Sequence, residues 1–216
     1  MNVQPKGAVM ALTGPPPRDT HRTRKAILHA ATHLFAESGY AATGLQQIAD
    51  AAGVARATPS YFFRSKAGLW KAVLEEQNQL AAHIAPTAFQ LAGAQPDRAA
   101  LIAALVDVTL DFHIAHPEFL RLVQWSELQG NTLINEVRAH HVAVATAVHA
   151  VDAVLRGGAL EQEDVRQMVL SVLGVCYAHL IFGQTLAAAL NLSVNDPAFQ
   201  VERRVHLKRL LLSASR

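Results

Sequence analysis

The sequence predicts an all-α protein, a small N-terminal helix-turn-helix head joined to a larger helical body. Apolar residues recur at helical spacing along most of the chain, and no segment alternates as a half-buried strand does. Glycine and proline punctuate these runs at intervals that suit helices and short connections. The charges divide as well: residues 1–66 hold 8 Lys or Arg against 3 Asp or Glu, net +5, whereas residues 67–216 hold 11 against 14, net −3. A basic head on a mildly acidic body suits phosphate neutralisation, in which released counterions supply most of the sequence-independent affinity for DNA.

Residues 1–19 contain Pro15-Pro16-Pro17 and read as a mobile arm, whose Lys6 and Arg18 either brush DNA or belong to a frayed terminus. The head occupies residues 20–66. In its first helix Ile27, Leu28, Ala31, Leu34 and Phe35 share one face, and Gly39 stands where a left-handed C-cap belongs, so the helix ends near Ser38. Thr43 precedes Gln46 by three residues, a capping-box spacing, and Leu45, Ile48 and Ala49 give a second, shorter helix its buried face. Gly53 turns the chain. Small Ala49 and Ala51 let the second and third helices cross closely, so the third, carrying Arg56 to Phe62, projects as a recognition helix. Ala55 offers that helix no side-chain cap. With Thr58 as the cap and Pro59 in the first helical position, the regular helix shortens and Arg56 lies on its lead-in.

The body, residues 67–216, begins with a fourth helix that Ser65 caps. It carries Leu69, Trp70, Val73, Leu74 and Gln77 and runs until the chain meets Pro86, after which Gly93 and Pro96 mark a loop. A fifth helix spans Arg98 to Ala115, and Pro117 opens a sixth holding Phe119, Leu122, Val123 and Trp125. Gly130 breaks the chain before a seventh that runs through Leu155 to Gly157-Gly158. Two more cover Gln162 to Leu190 and Pro197 to Leu212. The run from Val169 to Leu190 has the length of a membrane span, but His179 and Gln184 would lie in hydrocarbon and no flanking anchor pattern appears. A helix apolar nearly all round must instead be covered by protein, and Gly174, Ala178 and Gly183 permit close approach. A single cysteine, Cys176, and the lack of a signal-peptide pattern suit a reducing cytoplasm.

The stretch RKAILHAATHLFAESGYAATGLQQIADAAGVARATPSYFFRSKAGLWKAVLEE resembles the N-terminal domain of TetR-family transcriptional regulators. The FAESGY turn, the T-x-L-x-x-IA-x-x-AGV core and the Y-x-F-x-SK exit occur together, in the family's order and spacing. The resemblance implies a C-terminal ligand-binding and dimerisation domain, and DNA contacts from Thr43, Arg56, Ala57, Thr58, Tyr61 and Lys66. Their chemistry suits those roles. The planar fork of Arg56 can bond O6 and N7 of a guanine, worth about 1–3 kcal/mol of discrimination, while Thr43, Thr58, Tyr61 and Lys66 offer groups for phosphates. Ser60 stands where an aromatic is common in the family, and its hydroxyl can reach base or phosphate. The resemblance also implies a homodimer through the last two helices, around Val169 to Leu190 and Val201 to Leu212. Val201, Val205 and Leu212 would then face the partner, with Arg203, Arg204 and Lys208 in water. Two heads related by a twofold axis would read a palindrome with half-sites about 34–36 Å apart.

By the same resemblance, a small molecule bound in the body would release a repressor from its operator, the fourth helix carrying the movement. Phe112, His113, His116, Trp125, His140, His141, Tyr177, His179 and Phe182 are the candidate lining residues, and such a lining favours an apolar or aromatic ligand. His113 with His116, and Cys176 with His179, have helical ligand spacing, but no third group joins either pair, so neither metal nor cofactor is expected. No nucleophile elbow, phosphate loop or HExxH motif appears, and Cys176 lies in an apolar run that should leave it inert, which disfavours an enzyme. The competing reading is an architectural or cell-division partner that binds DNA without an inducer. A body cavity of roughly 300–1,000 Å³ would favour ligand control over it.

Overall fold

A computed structural model describes residues 17–130, 136–155 and 162–213. Most of the arm expected at residues 1–19, and the Gly157-Gly158 break, lie outside the described residues. Within them the chain forms α1 (Pro17–Ala42), α2 (Leu45–Ala51), α3 (Thr58–Phe63), α4 (Lys66–Ala81) and α5 (Ile84–Ala92), followed by α6 (Arg98–Ala115), α7 (Pro117–Leu128), α8 (Arg138–Leu155) and α9 (Gln162–Ile181). A π-helical turn, Gly183–Ala187, and α10 (Pro197–Ser213) complete the described chain, which has no strand.

The breaks fall close to the expected glycines, with local differences. Gly39 interrupts α1 with φ 77° and ψ 168°, an extended conformation at positive φ that is open almost only to glycine, not the left-handed cap expected there. The second helix starts one residue later than the Thr43–Gln46 spacing implies. Gly44 is its cap, and the Gly44 N–H donates to Gln47 Oε1 at 2.6 Å. In α3 the cap is Ala57 and Thr58 is the first helical residue, so Pro59 sits second, where its missing N–H still costs nothing. Arg56 lies on the preceding turn, as expected. Ser65 caps α4, its Oγ accepting from the Gly68 N–H at 3.0 Å. Pro86 does not end the fourth helix: α4 stops at Ala81, and Pro86 belongs to the first turn of α5, where proline is tolerated. The last long apolar run divides at Phe182 into α9 and the π-helical turn, and no single helix among the described residues is long and apolar enough to cross a membrane.

One core joins the head to the body. Ile27, Ala31 and Phe35 of α1 pack with Ile48, Phe63, Leu69, Trp70 and Val73, and the same cluster takes in Leu122 of α7, Val137 just before α8 and Ala139 in its first turn. Phe35 meets Trp70 edge to face at 5.0 Å between ring centres, and Tyr40 lies 5.6 Å from Trp70. A second core lies between α6, α9 and α10, built from Ile102, Val106, Leu110, Cys176, Leu207 and Leu211. The inner edge of α10 is charged, which corrects the expectation that its cations stand in water. Lys208 Nζ lies 2.7 Å from Asp107, Arg204 pairs with Asp107 and Asp111, and Arg203 donates to the Val175 carbonyl at 2.9 Å. Leu212 leans on the second core and does not face outward. Val201 and Val205 are exposed, as are Leu170, Leu186, Leu190 and Leu210.

Candidate nucleic-acid interface and body cavity

The recognition helix presents two faces because its residues alternate at helical spacing. Pro59 and Phe63, four apart, are buried, and the Arg24 guanidinium lies 5.1 Å from the Phe63 ring centre. Arg56, Ala57, Ser60 and Tyr61 are exposed, Tyr61 by 82%. Ser60 and Tyr61 are adjacent on the outer side of α3, and Arg56 and Ala57 are exposed on the turn that leads into it. Arg56 forms no hydrogen bond or ion pair among the described residues, so its fork is unspent. Arg64 is also exposed and adds a second guanidinium at the far end of the helix, held at φ 66° by the turn into α4. Arg64 was not legible beforehand, since it fills an unspecified position of the Y-x-F-x-SK exit motif.

Thr43 and Lys66 are placed differently from Arg56. Thr43 is only 2% exposed, with its hydroxyl 2.8 Å from the Gly39 carbonyl and 3.1 Å from that of Leu34. Its one proton is shared between two backbone acceptors inside the protein. The expected phosphate contact through this hydroxyl therefore gives way to a bracing role at the α1 break. Lys66 Nζ donates to the Ala41 carbonyl at 3.1 Å and lies 4.6 Å from the centre of the Tyr40 ring. Partial burial lowers its pKa, yet the ammonium keeps donors to spare. Thr58 is half-buried at the start of α3.

The body contains a partly open pocket of about 200 Å³ between α4, α5, α6, α7, α8 and α9, with Val144 at its solvent-exposed side. This falls short of the roughly 300–1,000 Å³ expected of a ligand-controlled body, and is close to the ~150 Å³ that accommodates a benzene-sized molecule. Of the residues expected to line it, His140 and Tyr177 do, together with Asn78, Thr109, Phe119 and Val123. No Lys, Arg, Asp or Glu is among the lining residues. Asn78 is fixed at both ends: its amide donates to the Leu74 carbonyl at 2.9 Å, and its Oδ1 lies 3.2 Å from His140 Nδ1. The amide oxygen can only accept, so His140 carries its proton on Nδ1 and keeps Nε2 as an acceptor. Burial, with His141 nearby, lowers the His140 pKa, and burial pushes the Tyr177 phenol up. Both groups are neutral at neutral pH.

The other expected lining residues fall elsewhere. Phe112, His113 and His116 form an aromatic layer behind the cavity wall, with His113 4.6 Å from the Tyr177 ring and 5.6 Å from that of Phe119. His113 is 3% exposed, and among the described residues neither of its nitrogens nor those of buried His179 has a hydrogen-bond partner. Burial first, and then His116 and His179, bring His113 down to about 4; burial and Arg203 do the same for His179. His141 and Phe182 are exposed. Trp125 points to the head: Nε1 donates to the Ala36 carbonyl at 3.1 Å, and an added Cβ on Gly39 would lie 2.8 Å from its ring. Beside it His33 Nδ1 of α1 meets Glu118 Oε1 of α7 at 3.2 Å. Asn78, Thr109 and Phe119 were legible only as helix residues, because periodicity marks a buried face without saying which buried faces leave a gap. Among the described residues no three His, Cys, Asp or Glu side chains converge as metal ligands.

Comparison with known proteins agrees with this geometry. Residues 27–73 match the profile of bacterial regulatory proteins of the tetR family, and residues 99–210 match the tetracyclin repressor-like C-terminal domain. The chain is 27% identical over 215 residues to the HTH-type transcriptional regulator RutR of Escherichia coli (strain K12), covering 98% of both chains. It is 24% identical over 213 residues to the HTH-type transcriptional repressor NicS of Pseudomonas putida, covering 94% of this chain and 97% of the relative. Among solved structures, the fatty acid degradation regulator FadR from Bacillus halodurans superposes with a TM-score of 0.66 at 22% identity, covering 88% of this chain and 94% of that one. A TetR family transcription regulator from Marinobacter aquaeolei VT8 superposes at 0.63 and 16% identity, covering 90% and 97%. At these identities the structural likenesses carry the fold alone.

Proposed function

The chain belongs to the tetR family of bacterial regulatory proteins, and from that premise we propose that it is a homodimeric repressor released from a palindromic operator by a small uncharged molecule in the body cavity. The observation that carries this is the joint presence of a solvent-facing Arg56–Ser60–Tyr61 surface and an apolar pocket walled in part by α4, the helix that leads out of the head. Arg56 reads a guanine edge, Ala57 offers a methyl to a thymine, and Tyr61, Thr58, Lys66 and Arg64 fix the register on phosphates. The outward apolar residues Leu170, Val201 and Val205 support pairing of α9 and α10 with those of a second copy.

Ligand class follows from the cavity's chemistry. The described lining offers a charged ligand no counter-charge, which favours a neutral one. The volume suits one small ring, and His140 Nε2 accepts a hydrogen bond from a ligand N–H or O–H. A ligand that prefers the DNA-incompetent head spacing by about 1–3 kcal/mol relieves repression about 5- to 150-fold.

The test is selection of bound sequences from random double-stranded DNA, repeated with Arg56→Ala. A palindrome is expected from the native protein. The substitution should cut its preference for that palindrome about 5- to 150-fold while leaving most non-specific binding intact. No enriched sequence, or equal losses on every sequence, would overturn the reading.

A further inference from the structure

We propose that His29 and His33 on the exposed side of α1 form a two-imidazole site for a divalent transition-metal ion such as Cu²⁺ or Zn²⁺, with water in the remaining positions. The two residues are four apart, one above the other on the helix. Their Nε2 atoms stand 3.2 Å apart, with ring centres at 4.5 Å and planes at 74°. Metal–nitrogen bonds of about 2.0–2.1 Å to both atoms would subtend about 100° at the ion, between the right angle of tetragonal copper and the tetrahedral angle of zinc. That contact is a hydrogen bond in which one Nε2 donates to the other, so an ion would displace the shared proton and bridge two nitrogens already held close together.

The outer contact fixes the correct tautomer. His33 Nδ1 lies 3.2 Å from Glu118 Oε1, an acceptor that calls for the proton on Nδ1, so in the neutral ring Nε2 carries the lone pair, which accepts from His29 Nε2 until a metal replaces that proton. A carboxylate behind a ligating histidine orients the ring and raises its basicity. Because Glu118 belongs to α7 and His33 to α1, an ion bound here pulls on the seam between head and body. Arg22 and Lys25 border the same groove and oppose a cation, so binding in the micromolar range is expected.

The experiment titrates the full untagged chain with Cu²⁺ alone, followed by calorimetry and by electron paramagnetic resonance. The expected result is one ion per chain with the signature of two imidazole nitrogens. His29→Gln and His33→Gln should each weaken binding at least tenfold, and Glu118→Gln by about tenfold. Zn²⁺ should raise the melting temperature of the native protein and not that of His29→Gln. Both histidines are exposed, so the variants fold. No binding at micromolar Cu²⁺, or binding that survives either histidine substitution, would overturn the proposal.

Discussion

Replacing Gly39 by alanine should destabilise the protein strongly, and the size of the effect can be worked from two separate causes. At φ 77° and ψ 168° the backbone suits glycine, so alanine brings about 1–3 kcal/mol of strain. The new methyl would also stand 2.8 Å from two Trp125 ring carbons and 2.9 Å from Gln129 Nε2. Crowding of that kind costs about 1–3 kcal/mol. Alanine restrains the unfolded chain and returns about 0.4–1 kcal/mol, leaving a net loss of about 2–5 kcal/mol. For a chain of 216 residues each kcal/mol lowers the melting temperature by about 2–4 °C, so a drop of about 4–20 °C is expected. Gly53→Ala is the matched control: its φ is +64° but nothing lies within 4 Å of the added methyl, so only a left-handed cost of about 1–2 kcal/mol applies. Thermal melts followed by circular dichroism, at one protein concentration, would compare the two in native and Trp125→Ala backgrounds. Equal shifts at Gly39 and Gly53, or a Gly39 penalty undiminished without Trp125, would refute the reasoning.

Gly68→Ala should abolish operator binding, because its methyl would sit 2.2 Å from the Phe63 carbonyl oxygen and drive α3 off α4; gel-shift titration beside a melting curve measures this. Stability should fall as pH drops from about 6.5 towards 4. His113 and His179 stay neutral in the fold down to about 4, whereas the unfolded chain binds their protons from about 6.5, so their effect is absent above that pH. Urea unfolding at pH 7.5, 6 and 5 should show the loss, and His113→Leu should reduce it. Ala143→Phe should fill the cavity and remove the response to effector while operator affinity stays within a few-fold, read by DNA-release assays.

The helices were legible wherever an apolar stripe met a capping residue. Ile27 to Phe35 with Gly39, and Ser65 with Leu69 to Gln77, gave both type and position, and Pro117 and Pro197 marked true helix starts. Pro86 misled because a proline ends one helix and opens another with the same local signal. At the DNA surface Arg56, Ser60 and Tyr61 were readable from their chemistry, but the burial of Thr43 depends on carbonyls freed where α1 breaks. The cavity was the least legible part. Trp125 and Phe182 have the residue type of a ligand wall, yet one faces the head and the other solvent, since packing between distant helices decides where space is left.

The core beneath the head does not stop where the recognition motif ends. Phe35 rests on Trp70, and the cluster runs on into Leu122 and Val137. A chain cut after Lys66 would leave Ile27 and Phe35 without their cover, so grafting this head alone onto a foreign regulator should yield an unfolded appendage. Operator specificity is transplanted more safely by exchanging Arg56, Ala57 and Ser60, which are exposed, and leaving the rest of the chain in place.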